Sequence, residues 1–93
     1  MAANEYENYE SLTKFFPELT VLQATQVCML VFGHITIKDL AEYRGVSEDT
    51  VKEAMSSVQK KLGVNSMKML RPFVTSRVLL KLSLTVPDAK PHA

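Results

Sequence analysis

The chain has 93 residues, of which 46% are hydrophobic, and a formal net charge of +1. This length suits one small domain and leaves too little chain for a deep enzyme cleft. The single cysteine, Cys28, excludes an intramolecular disulfide, and no apolar run reaches the roughly 18 residues that a bilayer span needs, so we expect a cytoplasmic protein.

The N-terminal part of the chain, residues 1–18, is predicted to be an acidic and partly flexible arm. It contains four glutamates and one lysine, and Pro17 favours the end of any short helical turn over residues 11–16. The next helix is predicted from about Thr20 to about Phe32, because Val27, Leu30 and Val31 recur at helical spacing. Gly33 is a typical stop signal for this helix.

Residues 38–64 predict a short helix, a tight turn and a longer helix. Thr36 can cap the short helix, with Asp39 completing an approximate capping box, and Gly45 supplies the turn. Ser47 can cap the longer helix, whose first turn is acidic, and Gly63 ends it. Its apolar residues recur every three or four positions and predict one buried side: Val51, Ala54, Met55, Val58 and Leu62.

Ser66 can cap a last helix, but Pro72 falls six residues later. Either the helix kinks at Pro72, or residues 66–70 form a separate turn and a new helix begins near Pro72. The stretch from Phe73 to Leu84 is more apolar than one buried side requires. Residues 85–93 contain Pro87 and Pro91 and are predicted to be a flexible tail, so the helical domain spans residues 19–84.

Three sequence blocks resemble the LuxR/NarL/GerE class of helix-turn-helix domains. They are I-K-D-L-A at residues 37–41, G-V-S-E-D-T-V-K at residues 45–52 and K-L-G-V at residues 61–64, with the class spacing and no gaps. The resemblance covers about residues 19–82 and implies an all-α bundle of four to five helices that contains a helix-turn-helix. In that arrangement the second helix of the pair enters the DNA major groove.

The resemblance also implies roles for individual residues. Positions expected to contact double-stranded DNA are Thr36, Lys38, Thr50, Lys52, Glu53, Ser56, Lys60 and Lys61. Lys60 and Lys61 correspond to phosphate contacts at the basic end of the third helix. Residues on the last helix correspond to a homodimer contact: Phe73, Val74, Arg77, Val78 and Lys81.

Several residues depart from the class pattern. Gln23 and Gln26 lie where the first helix normally has acidic and arginine residues, and Arg44 replaces a buried leucine before the turn glycine. We therefore expect the Arg44 side chain to reach solvent or to find a partner. Asp49 and Glu53 place acidic groups where a phosphate or a base edge is expected, and Glu53 is compatible with DNA only where it accepts a hydrogen bond from a cytosine amine.

Charge is distributed unevenly along the chain. The basic residues cluster in residues 47–82, where Glu48, Asp49 and Glu53 oppose them: Lys52, Lys60, Lys61, Lys68, Arg71, Arg77 and Lys81. This distribution favours a DNA-binding regulator that acts as a homodimer. The near-zero net charge favours a second hypothesis, a protein-interaction module that acts on a related regulator or on RNA polymerase. A third hypothesis, a promoter-reading region similar to that of sigma factors, lacks its companion regions in so short a chain.

No pattern in the chain indicates catalysis. There is no nucleophile–base pair, carboxylate dyad or phosphate-cradling loop, and His34 and His92 have no second ligand at metal spacing. We therefore expect no enzyme activity, no metal and no cofactor. Cys28 is expected to be a small, buried apolar residue.

Overall fold

The computed structural model describes residues 10–87 and contains helices and turns but no strand over that range. A short 3-10 helix, Glu10–Lys14, precedes four α-helices: α1 (Val21–Phe32), α2 (Ile37–Arg44), α3 (Glu48–Leu62) and α4 (Met67–Thr85). The expected all-α fold is therefore confirmed. Within the same range, no helix combines the length and apolar character needed to cross a membrane. Residues 1–9 of the predicted arm and 88–93 of the predicted tail lie outside the described residues.

Side-chain caps form at the starts of the first three α-helices, including the two predicted at Thr36 and Ser47. The Thr36 hydroxyl accepts a hydrogen bond from the Asp39 amide at 3.0 Å, and the Asp39 carboxylate accepts one from the Thr36 amide. Thr20 and Gln23 make the same reciprocal pair at the start of α1. Ser47 caps α3 by accepting from the Thr50 amide at 3.1 Å. Each cap provides an acceptor for an amide that lacks a partner within its helix, so these helix starts are defined locally.

Two glycines end helices in the left-handed conformation, as predicted. Gly45 has φ +68° after α2 and Gly63 has φ +71° after α3. In both turns the following valine amide bonds back to a carbonyl five residues earlier, from Val46 to Ala41 and from Val64 to Gln59. Only residues 45–47 separate α2 from α3, so these two helices form a tight, turn-linked pair. After α1 the left-handed residue is His34, with φ +56°, because Gly33 stays in the helical region.

The core lies between α1 and the other helices, and its members come from every element except the 3-10 helix. The fully buried large side chains are Phe16, Gln26, Val27, Leu40, Val51, Met55, Val58 and Val74. Phe16, a residue of the predicted arm, has no exposed surface and packs on the core, next to Leu19 at 6% exposed. Large apolar groups leave water when they pack on the core, which outweighs the acidic character of this segment.

The last helix is continuous through Pro72. Met67 begins α4 and Thr85 ends it, so the alternative of a separate turn over residues 66–70 is wrong. Ser66 precedes the helix without a side-chain cap, in contrast to the prediction. Pro72 cannot donate to the Lys68 carbonyl, which costs helix stability. Burial of Leu70 and Val74 on either side of Pro72 offsets that cost by holding the helix against the core.

A buried polar pair joins α1 to the end of α2. Gln26 is 2% exposed. Its amide oxygen accepts hydrogen bonds from Arg44 Nη1 at 2.8 Å and Nε at 3.1 Å when the amide is oriented to face the guanidinium. Arg44 therefore finds a partner rather than extending to solvent. The pair fixes α1 against the residue that immediately precedes the turn.

Candidate nucleic-acid interface

The third helix has one buried side and one exposed side along its whole length. Val51, Met55, Val58 and Leu62 are buried, whereas Ala54 is only partly buried. The 15 residues of α3 extend about 22 Å at the usual helical rise. The turn-linked α2 packs behind α3 through the buried Leu40 and Ala41, so the exposed side of α3 is free to meet a partner.

All eight residues predicted to contact DNA are exposed. Four of them form, with Asp49, a row along the exposed side of α3 at helical spacing: Asp49, Lys52, Glu53, Ser56 and Lys60. Two acidic and two basic groups alternate along this row, so its formal charge is zero. A surface of this kind can donate and accept hydrogen bonds at base edges but attracts phosphates weakly.

Lys61 lies on the flank of α3 that faces α1. Its Nζ atom donates a hydrogen bond to Gln23 Oε1 at 2.9 Å, and the Gln23 amide nitrogen lies 3.4 Å from Ser57 Oγ as a donor. Gln23 also accepts from the Thr20 amide, so one side chain connects the start of α1 to the end of α3. The sequence indicated Lys61 as a phosphate contact but not this bridge. The only feature of the sequence that could have indicated this bridge is the polar side chain of Gln23 at the third position of α1.

Three other predicted contact residues lie at helix starts. Thr36 and Thr50 are both exposed, and their hydroxyls take part in the caps of α2 and α3. The Thr50 hydroxyl shares a 2.8 Å hydrogen bond with Ser47. Lys38 is exposed in the first turn of α2. The helix starts therefore hold the two threonines in place, while Lys38 forms no salt bridge with any residue between 10 and 87.

The five residues that were predicted to form a dimer contact differ in their exposure to solvent. Val74 has no exposed surface, so it belongs to the core and is not available to a second copy. Phe73, Arg77, Val78 and Lys81 are partly buried. The sequence does not indicate which side of α4 is buried, because apolar residues surround the helix and no polar side marks the exposed surface.

Arg77 ties the N-terminal segment to α4. Its Nη1 atom donates to Glu18 Oε1 at 2.6 Å and to the Phe15 carbonyl at 3.3 Å. The guanidinium lies 5.6 Å from the Phe16 ring centroid and 5.0 Å from that of Phe73, within the range of cation–π attraction. The hydrogen bond from Arg77 lowers the pKa of Glu18. Arg77 therefore has a structural role within the chain.

The described residues contain no group of three or more His, Cys, Asp or Glu side chains that could hold a metal ion. Cys28 is half-buried, and burial raises the pKa of its thiol to about 11. The thiolate is the reactive form, so Cys28 is a weak nucleophile at neutral pH.

Comparison of the chain with known protein families, curated proteins and solved structures found no match.

Proposed function

We propose that this protein is a cytoplasmic transcriptional regulator with a LuxR-type helix-turn-helix, formed by α2, the turn at residues 45–47 and α3. The observation that supports this function best is the exposed side of α3. Lys52, Glu53, Ser56 and Lys60 lie in one row on a helix that is held from behind by the buried Val51, Met55 and Val58. A helix presented in this way fits the width of a major groove.

The proposed contacts differ in kind along α3. Lys52 and Ser56 lie in the middle of the row, where base edges would be reached, and Lys60 lies near its C-terminal end. Lys38 and Thr36 at the start of α2 would contact the sugar–phosphate backbone. Lys61 has a hydrogen bond to Gln23 and is directed toward α1, so we expect Lys60 to be the stronger phosphate contact.

Replacement of Lys60 with alanine is expected to weaken DNA binding to all sequences and to lower the salt dependence of binding. Loss of one phosphate contact reduces the slope of log affinity against log salt by about 0.9. Fluorescence anisotropy with random-sequence and selected duplexes, from about 50 to 200 mM salt, measures both quantities. Lys61→Ala should have the smaller effect.

The matched control is Lys14→Ala, which removes the same charge from the 3-10 helix. It should leave the salt slope within error of the wild-type value. An unchanged slope for Lys60→Ala, or an equal decrease for Lys14→Ala, would contradict the proposed docking of α3. Selection of bound duplexes from a random pool then identifies the half-site.

We propose further that two copies pair on adjacent half-sites about 10 bp apart, one turn of the DNA helix. Val78 is partly exposed and lies one turn before the exposed Leu82, which makes an apolar patch on α4. Because α4 has four basic and no acidic residues, two free copies repel along it. We therefore expect a monomer in free solution and two copies on a two-site duplex. Sedimentation velocity with and without DNA tests this, and one copy per two-site duplex would contradict it.

The acidic residues of α3 support a second candidate, a helix-turn-helix used as a protein-interaction module. Asp49 and Glu53 are exposed in the row and take part in no salt bridge among the described residues. Such groups repel phosphates and suit a basic protein partner, such as a related regulator or RNA polymerase. Absence of DNA binding at about 50 mM salt would favour this function.

A further inference from the structure

A groove runs along the outer side of α4 and has no described element over it. It consists of two adjoining hollows of about 390 Å³ and 290 Å³, which share Phe73 and Ser76 as lining residues. Met69 and Pro72 line the first hollow, beside the turn at Gly63, and Leu80 lines the second. Ser76 is the smallest of these α4 residues and leaves room for another chain to approach the helix at the middle of the groove.

The groove is apolar and exposed. Met69 is 55% exposed and Leu80 is 59% exposed, and Pro72 is exposed between them. Together with Phe73 and Ser76, these residues follow one another at helical spacing along one side of α4, which matches one side of a second helix. Apolar side chains exposed in this arrangement lose contact with water when the apolar side of a partner packs on them.

The charged residues of α4 are all basic, but only some face the groove, because Arg71 lines a different hollow beside Leu30 and Ile35. Lys68, Arg71, Arg77 and Lys81 are the charged residues of the helix, and it contains no aspartate or glutamate. Arg77 and Lys81 lie at the edge of the second hollow. Glu18 forms its salt bridge with Arg77, and Lys81 forms none among the described residues.

We propose that this groove binds an amphipathic helix of another protein, whose apolar stripe is flanked by acidic residues. The apolar stripe would lie against Met69, Phe73 and Leu80, and its glutamates or aspartates would face Lys81 and Arg77 beside the second hollow. This is the helix-in-groove mode, in which apolar anchors provide affinity and complementary charge provides the choice of partner. The proposal does not depend on DNA binding by α3.

Other occupants fit the groove less well. A second copy of this face would bring its own Arg77 and Lys81 to the same basic edge, and like charges oppose that pairing. DNA would leave Met69 and Leu80 in contact with a charged backbone rather than with an apolar group.

The test uses two synthetic 16-residue helical peptides as probes. Both have the same leucine stripe; one has glutamates on its flanks and the other has lysines at the same positions. We expect the full-length protein to bind the fluorescein-labelled glutamate peptide at least about tenfold more tightly than the lysine peptide. The affinity of the glutamate peptide should decrease as salt is raised, because the flanking contacts are exposed.

Two variants locate the binding surface. Leu80→Glu should weaken binding of the glutamate peptide by about tenfold or more, because it places a negative charge and a polar group in the apolar channel. Lys81→Gln should weaken it by about threefold, which corresponds to an exposed ion pair. Leu22→Glu is the matched control at an exposed leucine on α1 and should leave the affinity unchanged. Far-UV circular dichroism confirms that each variant is folded.

Four results would overturn the proposal. The first is equal affinity for the two peptides, and the second is no binding of either peptide. The third is an affinity for the glutamate peptide that Leu80→Glu does not change. The fourth is evidence that the groove binds something else. This would be a dimer of the free protein that Leu80→Glu converts to monomer, or binding to vesicles of phosphatidylglycerol and phosphatidylcholine that Leu80→Glu abolishes. Retained DNA binding in Leu80→Glu separates these results from failure of the proposed function.

Discussion

Replacement of Arg44 with alanine is expected to lower the free energy of unfolding by about 2 kcal/mol or more. The change removes both donors to the Gln26 amide oxygen and leaves that side chain, which is 2% exposed, without its partner inside the core. A buried polar group without a hydrogen bond costs more than the bond itself contributes. Urea unfolding followed by circular dichroism measures the change.

The double replacement Gln26→Leu with Arg44→Leu is expected to restore stability to within about 1 kcal/mol of the wild type. It removes both polar groups together and fills the site with apolar volume, which is often neutral or stabilising in a core. A strongly non-additive double-mutant cycle is therefore predicted. Lys38→Ala, an exposed change on the same helix, should cost no more than about 0.5 kcal/mol. Additive effects of the two single leucine changes would show that the pair is not coupled.

Replacement of Arg77 with alanine is expected to have the second large effect, about 2 kcal/mol. Arg77 donates to Glu18 and to the Phe15 carbonyl, and it lies between the rings of Phe16 and Phe73. Arg77→Lys should recover less than half of the loss, because an ammonium group lacks the planar fork of the guanidinium. Lys68→Ala is the matched control, since it removes an exposed basic residue of the same helix.

Arg77→Ala should lower the local stability of the N-terminal segment as well as the stability of the whole domain. Amide hydrogen exchange is expected to become faster in residues 10–19 than in α2 or α3 when Arg77 is removed, because Arg77 attaches that segment to α4. The opposite pattern, with faster exchange in α2 and α3 alone, would contradict this role. Exchange measured by mass spectrometry distinguishes the two.

The contribution of the Glu18–Arg77 salt bridge to the free energy of unfolding is expected to decrease as the pH falls. The pKa of Glu18 is lowered in the folded protein by the hydrogen bond from Arg77, so the stabilisation is present above the ordinary carboxyl pKa. It is lost as the pH falls through the lowered pKa of the folded state, when the carboxylate becomes protonated. The difference in stability between wild type and Glu18→Gln should therefore shrink in acid, and a constant difference would contradict the assignment.

The sequence alone determined the helices of residues 20–64, because their ends depend on neighbouring residues. The Thr20, Thr36 and Ser47 caps each act within three residues, and Gly45 and Gly63 adopt φ values that other residues rarely adopt. The spacing of Val51, Met55, Val58 and Leu62 likewise determined which side of α3 is buried, and so which residues form the exposed row.

Only the tertiary structure decided which distant residues meet. Phe16 and Leu19 join the core although their segment is acidic, and Val74 is buried although α4 is apolar on all sides. The Gln26–Arg44 pair and the Lys61–Gln23 bond connect residues that are far apart in the chain. Helix periodicity indicates which residues share a side of one helix, but it does not indicate which side of another helix packs against them. That packing depends on the apolar surface that the four α-helices bury together, and the sequence of one segment does not determine it.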